Sequence, residues 1–328
     1  MTDPKVLAEI AAFRERITKV LHEVIVGQDA AIDHVLVAFL TGGHVLLTGG
    51  AATAKGLVVQ CMAHASRLDF KRVQFTPDLM PSDITGAEIL EDSSSGKRVA
   101  RFVLGPVFTN ILMGDEINRT PPKTQAALLE SMQEKQVTTG GVTRPLPQPF
   151  FVMATKTSNE TDGTYPLPEA QQDRFMLNIE METLSEEDEV KVVLTDPITK
   201  LGAIPPVIDG AGLLKFQEAV RSVAIPVPVQ EYIVNLTAAS RPHTGEAIES
   251  ANKYVSWGAG VRATQCLALG AKAKAAMMGR ATATVADVRA VALPVMRHRI
   301  GLNFRAENDG ITAVNIIGQL IEHVRAPA

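Results

Sequence analysis

Residues 44–60, HVLLTGGAATAKGLVVQ, run an apolar strand (Val45, Leu46, Leu47) into Gly49-Gly50 and, from Lys55, into a second apolar run at helical spacing. A chain that turns from strand to helix through glycine exposes backbone N–H groups and a helix N-terminus, and both favour anions. The spacing matches a phosphate-binding loop at Gly49 and Lys55, while Ala54 holds the second glycine position and Gly56 the position of the hydroxyl. Taken alone, such a turn serves architecture more often than phosphate binding.

About sixty residues further on, FTNILMGDEIN is an apolar strand ending in Asp115 and Glu116. Ligands of doubly wound sheets bind outside the carboxyl ends of the strands. An acid there holds Mg²⁺, directly or through water, and its neighbour polarises a water for attack on a phosphoryl group. An acid pair after a strand also serves as a helix cap. Its occurrence behind a Gly-rich loop in this topology favours nucleotide binding.

Further apolar strands are predicted in FKRVQF (70–75), PFFVMAT (149–155) and FMLNIEM (175–181), and helices over 4–23, 29–41, 55–66 and 123–136. This alternation predicts an α/β fold with a parallel sheet flanked by helices. Residues 76–107 break the rhythm with Pro, Gly and Ser, and EDSSSGK in their middle reads as an exposed hairpin tip. VTTGGVTRPLP reads as a second hairpin turning at Gly140-Gly141. Past about residue 183 the apolar patterns are helical, over 186–195, 212–222, 228–240, 262–278 and 284–299, with a Pro-rich connector at 195–210. The expected division is an α/β domain over 1–183 and a smaller, all-helical domain over 184–328.

A net charge of −4 and a pI near 6.0 argue against a general nucleic-acid binder, which favours a basic surface. Cys61 and Cys266 have no partners at metal-ligand spacing, which fits a reducing, cytoplasmic compartment. The N-terminal stretch lacks a signal-peptide pattern, and no apolar run reaches the roughly 18 residues of a membrane span.

The stretches VIVGQ, GGHVLL, VQFTPDLMPSDITGAEI, DEINRTPPKTQAALLESMQEKQVTTGG, GTYPLPEAQQDRF and PVMRHRI, spread over about residues 15–310, together resemble the MoxR family of AAA+ ATPases. The resemblance implies an AAA+ P-loop domain with a C-terminal helical lid, assembled as a homo-oligomeric ring, often a hexamer. It implies ATP and ADP with Mg²⁺ as ligands, and a protein client, in this family often one bearing a von Willebrand factor A domain. By position, Gly49, Gly50, Ala51, Ala52, Thr53, Ala54, Lys55 and Gly56 fall in Walker A, and Asp115 (Mg²⁺) and Glu116 (catalysis) in Walker B. Gly27 and Gln28 fall beside the adenine, residues 76–107 in the helix-2 insert and 136–148 in the hairpin before sensor 1. Arg174 matches the arginine that reaches a neighbouring subunit's γ-phosphate, though outside its motif it would read as a surface salt bridge. Arg262 matches the sensor 2 arginine. Arg119 lines the subunit interface by the same resemblance, or is simply solvated.

Three positions depart from the family pattern. Gly56 replaces the Thr whose hydroxyl would ligate Mg²⁺, and Thr157 replaces the Asn that orients the attacking water. Ala52 replaces a Gly and adds a Cβ where positive φ is needed. Loss of one positioning group in such a site costs about 10²–10³ in rate. The expectation is therefore an attenuated ATPase acting as a chaperone, and the alternative is an impaired member serving as a nucleotide-binding or nucleotide-free scaffold or regulator.

Overall fold

A computed structural model describes residues 3–50, 53–92, 98–157 and 163–326. The loop residues Ala51 and Ala52, the hairpin tip 93–97, and Ser158 and Asn159 beyond Thr157 lie outside the described residues.

Five strands form one parallel sheet: β1 (Val45–Gly49), β2 (Phe70–Gln74), β3 (Ile111–Asp115), β4 (Phe151–Thr157) and β5 (Leu177–Glu180). Their spatial order is β5-β1-β4-β3-β2. Alternation along each strand sends side chains to opposite faces. Val45, Leu47, Ile111, Met113, Phe151 and Met153 enter one apolar cluster, whereas Leu46, Leu112, Val152 and Ala154 enter another. Burial on both faces explains why β1, β3 and β4 read as continuous apolar runs. Strand β2 closes one edge and differs: Lys71, Arg72 and Gln74 are exposed and only Val73 is buried. Charged side chains on a free edge discourage pairing with other chains.

On the first face lie α1 (Pro4–His22), α2 (Asp29–Thr41) and α3 (Lys55–Ala65). The second face is covered by α4 (Pro122–Glu134), through Leu128, Leu129 and Met132. Both predicted hairpins form, pairing Gly86–Asp92 with Arg98–Leu104 and Gln136–Thr139 with Val142–Pro145. The second turns at Gly140 and Gly141 with φ of 59° and 76°, the left-handed conformation such turns require. The hairpins meet where the Arg144 guanidinium stacks over Phe102, 3.8 Å from its ring centre.

The C-terminal part is a helical lid: α5 (Glu186–Val193), α6 (Gly210–Ser222), α7 (Val227–Ala238), α8 (Val261–Met277), α9 (Val285–Met296) and α10 (Ala313–His323), with shorter helices between. It is not purely helical. Val255–Trp257 pairs antiparallel with Gly301–Leu302, and Gly301 lacks a Cβ where the Trp257 indole would lie 1.8 Å from one. The 195–210 connector also holds more order than its prolines suggest. Asp196 accepts from the Thr199 N–H and Pro197 starts a short helix, Pro197–Gly202, in the capping arrangement that suits both residues. Ile208–Asp209 then pairs with Ser66–Arg67.

The lid docks directly onto α1 and α2. Phe13 and Phe216 rings lie 5.6 Å apart, Lys274 pairs with Asp33 at 2.6 Å, and Gln217 donates to the Phe39 carbonyl at 2.9 Å. One continuous apolar cluster therefore runs from the sheet through α1 and α2 into α6–α10. Among the described residues no helix is long and apolar enough to cross a membrane.

Candidate functional site

A parallel sheet puts everything that follows a strand on one edge and everything that precedes a strand on the other. The loop after β1, the acids ending β3 and Thr157 ending β4 thus converge at the carboxyl edge. Thr157 is in register with Gly49 and nearly buried. Gly49 takes φ 146°, and a Cβ there would meet the Met181 carbonyl at 2.7 Å, so the loop needs glycine at its start. Ala54, in the left-handed region at φ 59°, caps α3.

Lys55 opens α3. Its ammonium donates to the Gly49 and Gly50 carbonyls (3.0 and 2.6 Å) and to Thr53 Oγ1 (3.2 Å). Burial pulls its pKa below the usual value, opposed by the negative charges of Asp115 and Glu116. The cation therefore rests on the loop's own oxygens, on the side of the acids. Gly56 follows on the helix, where an added Cβ would lie 3.2 Å from the Met113 methyl, the mobile end of a flexible chain.

The two acids are already engaged. Asp115 Oδ1 accepts from Thr155 Oγ1 at 2.6 Å, and Oδ2 is paired with the Arg72 guanidinium. Glu116 takes φ 56°, its N–H donates to the same Thr155 oxygen at 2.8 Å, and its Oε2 receives Gln74 Nε2 (2.8 Å) and Arg119 Nε (3.2 Å). Sequence reasoning assigned none of these roles to Arg72, Gln74 or Thr155. The available signal was the spacing of Arg72 and Gln74, two apart at the end of an edge strand, which puts both on one face. The β4 group that touches both acids is Thr155, two residues before Thr157.

Beside the loop is a cleft of about 320 Å³. Gly50, Thr53 and Ala54 line one side, and Ile25, Leu57 and Leu184 give it apolar walls. Gln28 borders it and donates to the Glu182 carbonyl at 2.6 Å. Gly27, at φ 65°, packs so closely that a Cβ would meet Leu184 at 3.1 Å. A mostly apolar cleft ending at a phosphate loop has the shape a nucleoside phosphate needs.

Arg174 and Arg262 are elsewhere. Both line a cavity of about 330 Å³ with Gly43, His44, Asp173 and Arg299. Gly43 and His44 precede β1, and Arg174 precedes β5, so this cavity opens at the amino edge of the sheet. Five-residue β1 alone spans roughly 13 Å at 3.3 Å per residue. Neither arginine reaches the Lys55 loop of its own chain. Arg262 Nη1 pairs with Asp173 Oδ2 at 3.2 Å. Behind that carboxylate stands Arg299, 2% exposed, with Nε on Asp173 Oδ1 at 2.7 Å and Nη groups on the carbonyls of Asp173, Phe175 and Met176. Arg299 comes from PVMRHRI, a stretch quoted above for its resemblance without a role attached. The side chain of Arg174 makes no ion pair with the described residues.

Comparison with known proteins agrees with this architecture. Residues 44–177 match the family described as ATPase family associated with various cellular activities (AAA), and residues 249–320 match the AAA lid domain. Chaperone MoxR1 of Mycobacterium tuberculosis is 37% identical over 324 residues, covering 98% of this chain and 84% of that protein. Uncharacterized protein YeaC of Bacillus subtilis is 36% identical, covering 94% and 92%, and Protein MoxR of Paracoccus denitrificans is 32% identical, covering 86% and 87%. A crystallised protein from Cytophaga hutchinsonii superposes with a TM-score of 0.89 at 37% identity, over 99% of this chain and 98% of its own. A five-stranded parallel sheet with a phosphate loop and a helical lid defines an AAA ATPase. Within that class, the chain belongs to the MoxR family.

Proposed function

We propose that the chain binds ATP and ADP in the cleft beside Gly50 and hydrolyses ATP slowly, as one subunit of a homo-oligomeric ring, a hexamer, that remodels a protein client in the cytoplasm. The observation carrying this reading is the convergence of Lys55, Asp115 and Glu116 at the carboxyl edge, against an apolar cleft. We divide the chain into a nucleotide-binding domain over 1–183 and a lid over 184–328, with residues 76–107 as the helix-2 insert and 136–148 as the pre-sensor-1 hairpin. The relative from Mycobacterium tuberculosis is named a chaperone, which supports a client that is a protein, and the family resemblance supports one with a von Willebrand factor A domain.

The residues fit Mg²⁺. That ion uses one or two carboxylates together with phosphate oxygens and water, and Asp115 offers a carboxylate at the strand end. When bound, Mg²⁺ neutralises charge on the β- and γ-phosphates. The chain's own share is positional. Lys55 leaves the loop carbonyls for the phosphates, and Glu116 orients and deprotonates the attacking water. The guanidinium groups of Arg72 and Arg119 and the amide of Gln74 must loosen their hold on the acids for this, since hydrogen bonds to a carboxylate reduce its basicity. Arg174 and Arg262, remote from their own loop, are assigned to the site of an adjoining subunit.

Phosphate release above that of a Glu116→Gln control is the expected result. Nucleotide binding without such release would instead support the second reading, a nucleotide-binding scaffold, which the pairing of Asp115 with Arg72 and the absent hydroxyl at Gly56 favour. Binding of no nucleotide at millimolar concentration would sink both. Gly56→Thr is expected to tighten Mg-nucleotide binding and raise the ATPase rate, because the hydroxyl adds a metal ligand and the Met113 methyl can move by the few tenths of an ångström required. Unchanged affinity and rate would show that the hydroxyl is not what limits this site.

A further inference from the structure

We infer that Arg72 sets the metal requirement of the nucleotide site: its guanidinium takes the place at Asp115 that a divalent cation would otherwise compete for, so nucleotide binds almost independently of Mg²⁺. This rests on the nucleotide-binding reading above.

Arg72 and Gln74 project from the same face of edge strand β2, and Gln74 is in register with Asp115. Arg72 Nη2 pairs with Asp115 Oδ2 and also donates to Gln74 Oε1 at 3.1 Å. With Thr155 on Oδ1, both oxygens of Asp115 are taken by the chain itself. The carboxylate is 16% exposed while Arg72 is 50% exposed, so the cation covers the acid and is itself reached from solvent. A guanidinium stays charged at any pH the protein meets, so this occupancy does not fade near neutrality as a histidine's would.

At position 56 the loop side offers the metal no side-chain ligand in exchange. Gly56 has no side-chain oxygen, and among the described residues no group of three or more His, Cys, Asp or Glu side chains stands ready for a metal ion. A Mg²⁺ arriving with the nucleotide therefore meets an Asp115 carboxylate whose two oxygens each already accept a hydrogen bond, one of them charge-assisted, and competes there with the Arg72 cation. Lys55 and Arg72, flanking Asp115, already supply positive charge where the phosphates end. The metal adds little to binding that these cations have not provided.

The test is the ratio of dissociation constants for a fluorescent ADP analogue measured in EDTA and in millimolar Mg²⁺. For the unaltered chain the ratio is expected near one. In Arg72→Gln, which keeps a polar side chain and removes the charge, Asp115 is released from its cation, and the ratio should rise about tenfold, the worth of a hydrogen bond to a charged group. Arg72→Lys, which restores a cation at this half-exposed position, should return the ratio toward one. An Arg72→Gln ratio equal to that of the unaltered chain, or a strongly Mg²⁺-dependent unaltered chain, overturns the inference while leaving nucleotide binding intact. Failure of both proteins to bind the analogue in either buffer overturns the nucleotide reading and this inference with it.

Discussion

Arg174→Ala should lower ATP hydrolysis by about 10²–10³-fold while leaving nucleotide affinity nearly unchanged. Both halves of this expectation come from the parallel sheet. Arg174 precedes β5 and Lys55 follows β1, so they occupy opposite edges, with the full length of the sheet between them. An arginine placed there has nothing to give the nucleotide of its own chain, and affinity should not notice its loss. In a ring whose subunits pack amino edge to carboxyl edge, the same side chain enters the neighbour's site and meets the charge that develops on the transferred phosphoryl group. Mixing makes the test selective. A ring assembled from Arg174→Ala and Glu116→Gln subunits contains junctions where an intact Glu116 faces an intact Arg174, so the mixture should hydrolyse ATP faster than either variant alone. No gain on mixing, or full activity in Arg174→Ala, would remove Arg174 from the catalytic machinery.

Arg299→Leu should destabilise the fold by about 3 kcal/mol, read from chemical denaturation. The guanidinium is almost completely buried, and its donors are shared between a carboxylate and the main-chain carbonyls of residues 173, 175 and 176. Leucine fills similar space but leaves those carbonyls without donors, and a buried acceptor without its partner costs far more than the hydrogen bond itself was worth. Arg299→Lys should recover little, because a compact ammonium cannot reproduce a planar fork that serves several acceptors at once. The damage should also reach the function, since Asp173 holds Arg262 and adjoins Arg174. A variant within about 1 kcal/mol of the original would mean that water replaces the fork and that the segment needs no clamp.

The strands were legible because β1, β3 and β4 are buried on both faces and so announce themselves as apolar runs, and the acids because they end one of those runs. The loop at Gly49 and Lys55 became legible as a phosphate-binding candidate only once the acids ending the strand behind it were set beside it. Side-chain partnerships were not. Arg72 and Asp115 are far apart in sequence and meet only because β2 and β3 are neighbours in the order β5-β1-β4-β3-β2, an order no local pattern encodes. The separation of Arg174 and Arg262 from Lys55 is likewise a property of strand direction. Arg299 looked like one cation in a basic stretch, and its burial depends on α9 being laid against the segment before β5. Thr155 was overshadowed by Thr157, since position in a motif says which residue stands at a site but not which oxygen touches the acid. In the connector, the prolines drew the reading toward turns although Asp196-Pro197 equally starts a helix.

The apolar cluster that runs unbroken from the sheet through α1 and α2 into the lid has a mechanical meaning. A lid joined by a flexible linker could swing over its nucleotide independently; this one shares its interior with the layer it covers. Phe13 against Phe216, Lys274 on Asp33 and Gln217 on Phe39 tie the first forty residues of the chain to its helical lid. A shared interior of this kind favours movement of sheet and lid together, and in the ring proposed above motion would then fall at the junctions between subunits, where Arg174 and Arg262 are proposed to act, in preference to a hinge within each one.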